Sequence, residues 1–148
     1  MLDVTYEATD DLTPGRLAEI EEDRGQIRVR LDRTKPLKDV IRQLNVEIER
    51  LMSSARWFQL WGDEIVSRDT PDRPLRIEYL LHDGIPVDMG VGVAEDKGTV
   101  RVYICPAMSP AEFATWMNPA TKNFLAGGCW FQLYAGEIID NSPEPNKV

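Results

Sequence analysis

WFQLWGDEIV, residues 57 to 66, returns as WFQLYAGEII at residues 130 to 139, an offset of 73 in a chain of 148. The same ungapped offset pairs EEDRGQIRV (21 to 29) with AEDKGTVRV (94 to 102), Tyr6 with Tyr79, Asp10 with Asp83 and Asn45 with Asn118. Of the 64 pairs running from Asp3 to Val66, 14 are identical. Chance gives roughly one identity in sixteen for average composition. The pattern is that of an internal duplication, and it constrains architecture far more than activity.

At 148 residues the chain suits one domain built from both repeats, covering 1 to 148. A single repeat of this size would be marginal alone, so the two are expected to share a core. Composition is that of a folded protein, with 43% hydrophobic and 28% charged residues. No apolar run reaches the 18 or so residues needed to span a bilayer. The acidic start MLDVTYEATDD lacks the basic and apolar regions of a signal peptide, so a cytoplasmic protein is expected. A net charge of −8 repels phosphate backbones, and no Lys/Arg cluster with interleaved aromatics offsets it, which argues against nucleic acid as a partner. A basic protein or peptide is compatible with that charge. Cys105 and Cys129 flank an expected helix whose ends would lie about 27 Å apart. That is far beyond disulfide reach, so two reduced thiols are expected. Their spacing fits neither a metal site nor a redox pair.

Each half reads as β, β, β, α, β. The first strand is VTYEATD (4 to 10) or RIEYLLHD (76 to 83), followed by a Pro14-Gly15 or Asp83-Gly84 turn. The second spans about Arg16 to Glu22 or Val87 to Glu95. It turns at Gly25 or Gly98, where glycine carries a left-handed residue without a Cβ penalty. The third, QIRVRLD or TVRVYIC, alternates with period two. Leu37, Val40, Ile41, Leu44, Ile48, Leu51 and Met52 then form one helical stripe, matched in the second half by Phe113, Met117, Phe124 and Leu125. Ser109-Pro110 with Glu112 reads as a capped helix start. Pro119 is expected to kink or split that helix, and Gly127-Gly128 to end it. Residues 67 to 74 form a polar linker between repeat 1 (about 3 to 66) and repeat 2 (about 76 to 139), and 140 to 148 a frayed tail. The expected fold is α+β: an internally duplicated βββαβ repeat forming one pseudo-twofold domain of antiparallel sheet, with one helix per repeat packed on one face.

Six of the twelve aromatics lie in the two WFQL segments. Strand alternation puts Phe58, Leu60 and Glu64 on one side, with Phe131, Leu133 and Glu137. Trp57, Gln59 and Trp61 fall on the other, with Trp130, Gln132 and Tyr134. The Phe/Leu side is expected to meet the helices. The aromatic-Gln-aromatic side is then either a peptide-binding groove or the core between the repeats. The groove reading rests on the hydrogen-bonding amide that each Gln carries among the rings, and on the weight of Trp and Tyr in binding hot spots. These six residues are the candidate binding site. Glu64 and Glu137 form a duplicated carboxylate pair, which more often pairs with arginine than works in catalysis. Arg28 and Arg101 are duplicated too. His82 is the only histidine, sits at a turn, and has Thr9 as its mate, so a structural role is expected. There is no P-loop and no dinucleotide fingerprint. No catalytic residue, metal ligand or cofactor is assigned.

Leu44-Asn45 followed by ARWFQL, and Met117-Asn118 followed by GGCWFQL, resemble a pattern of the type III secretion chaperone and YbjN-like group. In that group a Leu-Asn step in the helix precedes an aromatic-containing strand. The resemblance implies a non-catalytic, chaperone-like module for peptides or partly folded proteins, with client contact at Trp57, Gln59, Trp61 and their mates. The chain departs from the group in lacking a helix before the first strand. Counted from Gln26, the element order is also similar, in permuted form, to the paired units of glyoxalase-like, vicinal-oxygen-chelate proteins. That resemblance implies a small-molecule binder or a metal-dependent enzyme. The duplicated polar candidates for it are Gln59/Gln132 and Glu64/Glu137, without a duplicated His. A third reading is an acidic inhibitor or immunity-type protein covering a basic partner. A peptide- or protein-binding module is the leading expectation, homo-oligomer formation being open.

Overall fold

Local sequence chemistry accounts for most of the elements in the computed structural model, which describes residues 2–23, 25–54, 56–61, 64–67, 75–96, 98–126, 129–134 and 136–140. In the first half these are β1 (Asp3–Thr9), β2 (Ala18–Asp23), β3 (Gln26–Asp32), α1 (Leu37–Ser54), β4 (Arg56–Trp61) and β5 (Glu64–Ser67). The second half repeats the order as β6 (Arg76–Leu81), β7 (Val91–Asp96), β8 (Thr99–Ile104), α2 (Pro110–Ala126), β9 (Cys129–Tyr134) and β10 (Glu137–Asp140). The architecture is α+β. Ser67 and Asp140 close the last strand of each half. The rest of the expected linker and tail lies outside the described residues.

Gly25 and Gly98 take φ values of 93° and 97°, the left-handed conformation that closes the β2–β3 and β7–β8 hairpins. The Ser109 cap forms as read. Glu112 N–H donates to Ser109 Oγ and Ser109 N–H to Glu112 Oε1, both at 3.2 Å. Along α1 the expected stripe is buried from Leu37 to Leu51, with Met52 half-buried.

Three features differ from the expectation. The sheets are not wholly antiparallel, because β1 runs parallel to β3, and β6 to β8. The turns after the first strands feed a connection that crosses the third strand, giving the orders β1-β3-β2 and β6-β8-β7. Each WFQL segment is the first strand of a hairpin rather than one long strand, so each half ends in two strands. In the second half Gly136, at φ 84°, takes the left-handed residue of the turn. The helix α2 is continuous through Pro119. Thr115 and Pro119 are both exposed, so water can serve the carbonyl that proline leaves without a partner.

The halves interlock. The third sheet has the order β10-β9-β4-β5, with one hairpin from each half joined by antiparallel pairing of β4 and β9. The helix α1 packs on β2 of its own half and on β6 of the other, while α2 packs on β7 and on β1. Buried residues of both halves form one hydrophobic cluster.

Candidate functional site

The register of β4 and β9 decides which side chains share a face. Trp57 opposes Gln132, Gln59 opposes Trp130, and Phe58 opposes Phe131. Trp57, Gln59, Trp130 and Gln132 are exposed by 4, 1, 5 and 0% and point inward. This corrects the expectation that the Phe/Leu side meets the helices. That side faces out: Leu60, Ile65 and Ile138 are exposed by 41, 64 and 69%. Between them Phe58 and Phe131 are half-buried and stack with centroids 5.3 Å apart and planes 11° off parallel. The side chains of Trp61, Tyr134 and Glu64 lie outside the described residues. Glu137 is exposed, and Arg28 and Arg101 pair instead with Glu7 (2.9 Å) and Glu78 (3.7 Å).

The inward orientation is possible because each glutamine is served from the opposite half. Gln132 Nε2 donates to Glu22 Oε1 at 2.8 Å. Gln59 hydrogen-bonds the side chain of Glu95. Glu22 and Glu95 are themselves separated by 73 residues, as are the two glutamines. Burial pushes the Glu95 carboxyl above its ordinary value, and the Gln59 bond offsets part of that.

Two more pairs of identical residues 73 positions apart meet across the halves. Tyr79 N–H donates to Asn45 Oδ1 at 2.8 Å, and Asn45 Nδ2 donates to the Tyr79 carbonyl at 2.9 Å. Tyr6 and Asn118 make the same two bonds at 2.7 and 3.0 Å. Each asparagine thus satisfies the open edge of a strand in the other half. The two phenols meet at 2.7 Å. Burial pushes both upward, Tyr79 well above 10, so they are neutral hydrogen-bonding groups at physiological pH.

Beside the phenols lies an apolar cavity of about 90 Å³ whose wall includes Trp57, Trp130, Tyr6 and Tyr79. Two of the expected site residues thus line a partly open apolar cavity between the halves. The structure brings together the four described candidates, with the two tyrosines, the two asparagines and Glu22 and Glu95. Sequence reasoning had noted most of these as identical pairs without seeing that they touch. His82 is exposed, its Nδ1 accepting the Gly84 N–H at 2.9 Å, a turn-capping role. Cys105 is buried with a free thiol, and the side chain of Cys129 is not among those described. Among the described residues no cluster of three His, Cys, Asp or Glu is placed to hold a metal ion, and no helix is long and apolar enough to cross a membrane. Comparison of the chain with protein-family models, curated proteins and solved structures gives no match.

Proposed function

We propose that this protein is a non-catalytic binding module that docks a basic protein on the outward face of its four-stranded sheet. The observation that carries the reading is the apolar character of that face, with stacked Phe58 and Phe131 flanked by the exposed Leu60, Ile65 and Ile138. Contiguous exposed apolar surface of this kind marks interaction sites. Four strands of four to six residues give a face of about 300 Å². Two copies joined through it alone would bury about 600–700 Å², well short of the roughly 1,200 Å² of a stable interface. They would also bring two chains of charge −8 together. A larger partner of opposite charge, reaching past the apolar centre to the acidic surface, fits both constraints.

The resemblance to type III secretion chaperones and YbjN-like proteins supports a peptide- or protein-binding role, with the contact moved from the buried Trp/Gln side to the Phe/Leu/Ile side. We read the two halves as copies of one unit of three strands, a helix and two strands, related by a pseudo-twofold axis through the β4–β9 pair. The 73-residue spacing of the Asn–Tyr and Gln–Glu partners supports that reading. We take the cytosol as its compartment, in keeping with the free Cys105 thiol.

Two synthetic peptides test the chemistry, one alternating Lys with Leu and one alternating Glu with Leu. The basic peptide is expected to bind at least tenfold more tightly at low salt, to weaken as salt rises, and to lose at least tenfold in I65E/I138E. Equal affinity for both peptides, or indifference to I65E/I138E, refutes the reading. Binding of the basic peptide that survives I65E/I138E but vanishes in salt points instead to the acidic-inhibitor alternative, in which charge alone makes the contact.

A further inference from the structure

We propose that the cavity between the halves is a binding site for a small apolar molecule carrying one hydrogen-bond acceptor, such as a short-chain or cyclic ketone or aldehyde. The site is separate from the outward sheet face, since the residues that the four-stranded sheet contributes to its wall, Trp57 and Trp130, lie on the inward side. Of its twenty lining residues, eighteen fall into nine pairs separated by 73 positions, among them Tyr6/Tyr79, Trp57/Trp130 and Met52/Leu125. The cavity is therefore built by equivalent positions of both halves rather than left by one misfitting side chain.

Its chemistry selects the guest. An ordered buried water needs two to four polar partners. Here the two phenol groups already bond each other at 2.7 Å, and Tyr6 also bonds Thr121. Besides Tyr6, Tyr79, Thr121 and the two tryptophans, the lining side chains are aliphatic, phenyl or thioether groups. Apolar cavities of about 150 Å³ stay dry and admit benzene or xenon. At about 90 Å³ this one admits xenon, and a five-membered ring once half-buried Met52 and Leu125 move aside. The Trp57 Nε1 donor is buried with no hydrogen-bond partner among the described residues. An acceptor on the guest supplies the bond that this donor lacks.

The test uses xenon, cyclopentanone and its hydrocarbon counterpart methylenecyclopentane, followed by NMR of Ile, Leu and Val methyls and of the indole N–H groups. Xenon is expected to give saturable shifts confined to the lining methyls. Cyclopentanone is expected to move the Trp57 indole N–H downfield and to bind at least fivefold more weakly to W57F, while methylenecyclopentane affinity changes less than twofold. Val4→Phe, which fills the cavity from a half-buried position in its wall, keeps the test decisive if W57F does not fold; it should abolish binding of all three probes. Absence of saturable methyl shifts in the wild type overturns the proposal and leaves a packing defect only. Undiminished ketone binding to W57F, or wild-type binding to V4F, overturns it as well.

Discussion

Truncating the asparagines to alanine breaks the contacts that tie each helix to the opposite half. Asn45→Ala removes the bonds of 2.8 and 2.9 Å to the N–H and carbonyl of Tyr79. Asn118→Ala removes the bonds of 2.7 and 3.0 Å to Tyr6. A net contribution of about 0.5–1.5 kcal/mol per bond gives about 1–3 kcal/mol for each clamp. Asn45 is half-buried and Asn118 exposed, so water can replace the lost partner more easily at Tyr6 than at Tyr79. N45A therefore belongs near the top of that range and N118A near the bottom. With a urea m-value of about 2 kcal/mol/M, the unfolding midpoint should fall by about 1–1.5 M for N45A and about 0.5 M for N118A. The double variant should lose about the sum, a large share of the 5–15 kcal/mol that a domain of this size holds. Urea titrations followed by circular dichroism give the midpoints. A fall below about 0.2 M for N45A at unchanged m-value refutes the clamp.

Tyr6→Phe leaves the Tyr79 hydroxyl without its partner, whereas Tyr79→Phe leaves Tyr6 with Thr121. Y6F should therefore cost more, about 1–3 kcal/mol, and Y6F/Y79F should cost less than the sum of the singles in a double-mutant cycle of denaturation energies. The folded-state pKa of Glu95 is raised above its ordinary 4.5, chiefly by burial. Its stabilising contribution is therefore complete below pH 4.5 and is lost as pH rises through the folded value. Glu95→Gln should then raise the melting temperature at pH 7, with the gain disappearing below about pH 4; an equal gain at both pH values contradicts this. Acrylamide should quench Trp116, exposed by 37%, and spare Trp57 and Trp130. W116F should accordingly lose quenchable emission, and W57F and W130F shielded emission.

The helix stripe, the glycine turns and the serine cap were legible because each depends on residues within a few positions of one another. Strand alternation also separated Trp57, Gln59, Trp130 and Gln132 from Phe58, Leu60, Phe131 and Leu133 correctly. What it could not supply was which side faces in. Both sides are rich in apolar rings, and a buried Gln looks costly until its partner is known. That partner is 110 residues away for Gln132, and the Tyr6–Asn118 bonds span 112, so local pattern carries no trace of either. The offset had already marked Tyr6/Tyr79 and Asn45/Asn118 as special. Identical pairs that meet across the halves were the available signal for the inner wall of the cavity. The parallel pairing of β1 with β3 was hidden because a turn sequence says that the chain reverses and not which strand it then joins.

We propose that the outward Phe/Leu/Ile face, and not the Trp/Gln side, receives a basic protein. Placing a photo-crosslinking amino acid singly at Ile65, at Ile138 and at exposed Glu49 on α1, in cells that make the protein, tests it directly. One dominant adduct is expected, shared by the Ile65 and Ile138 positions and absent from the Glu49 position, whose partner is a basic protein by mass spectrometry. No adduct at either sheet position, an acidic partner, or equal yield from Glu49 would contradict it.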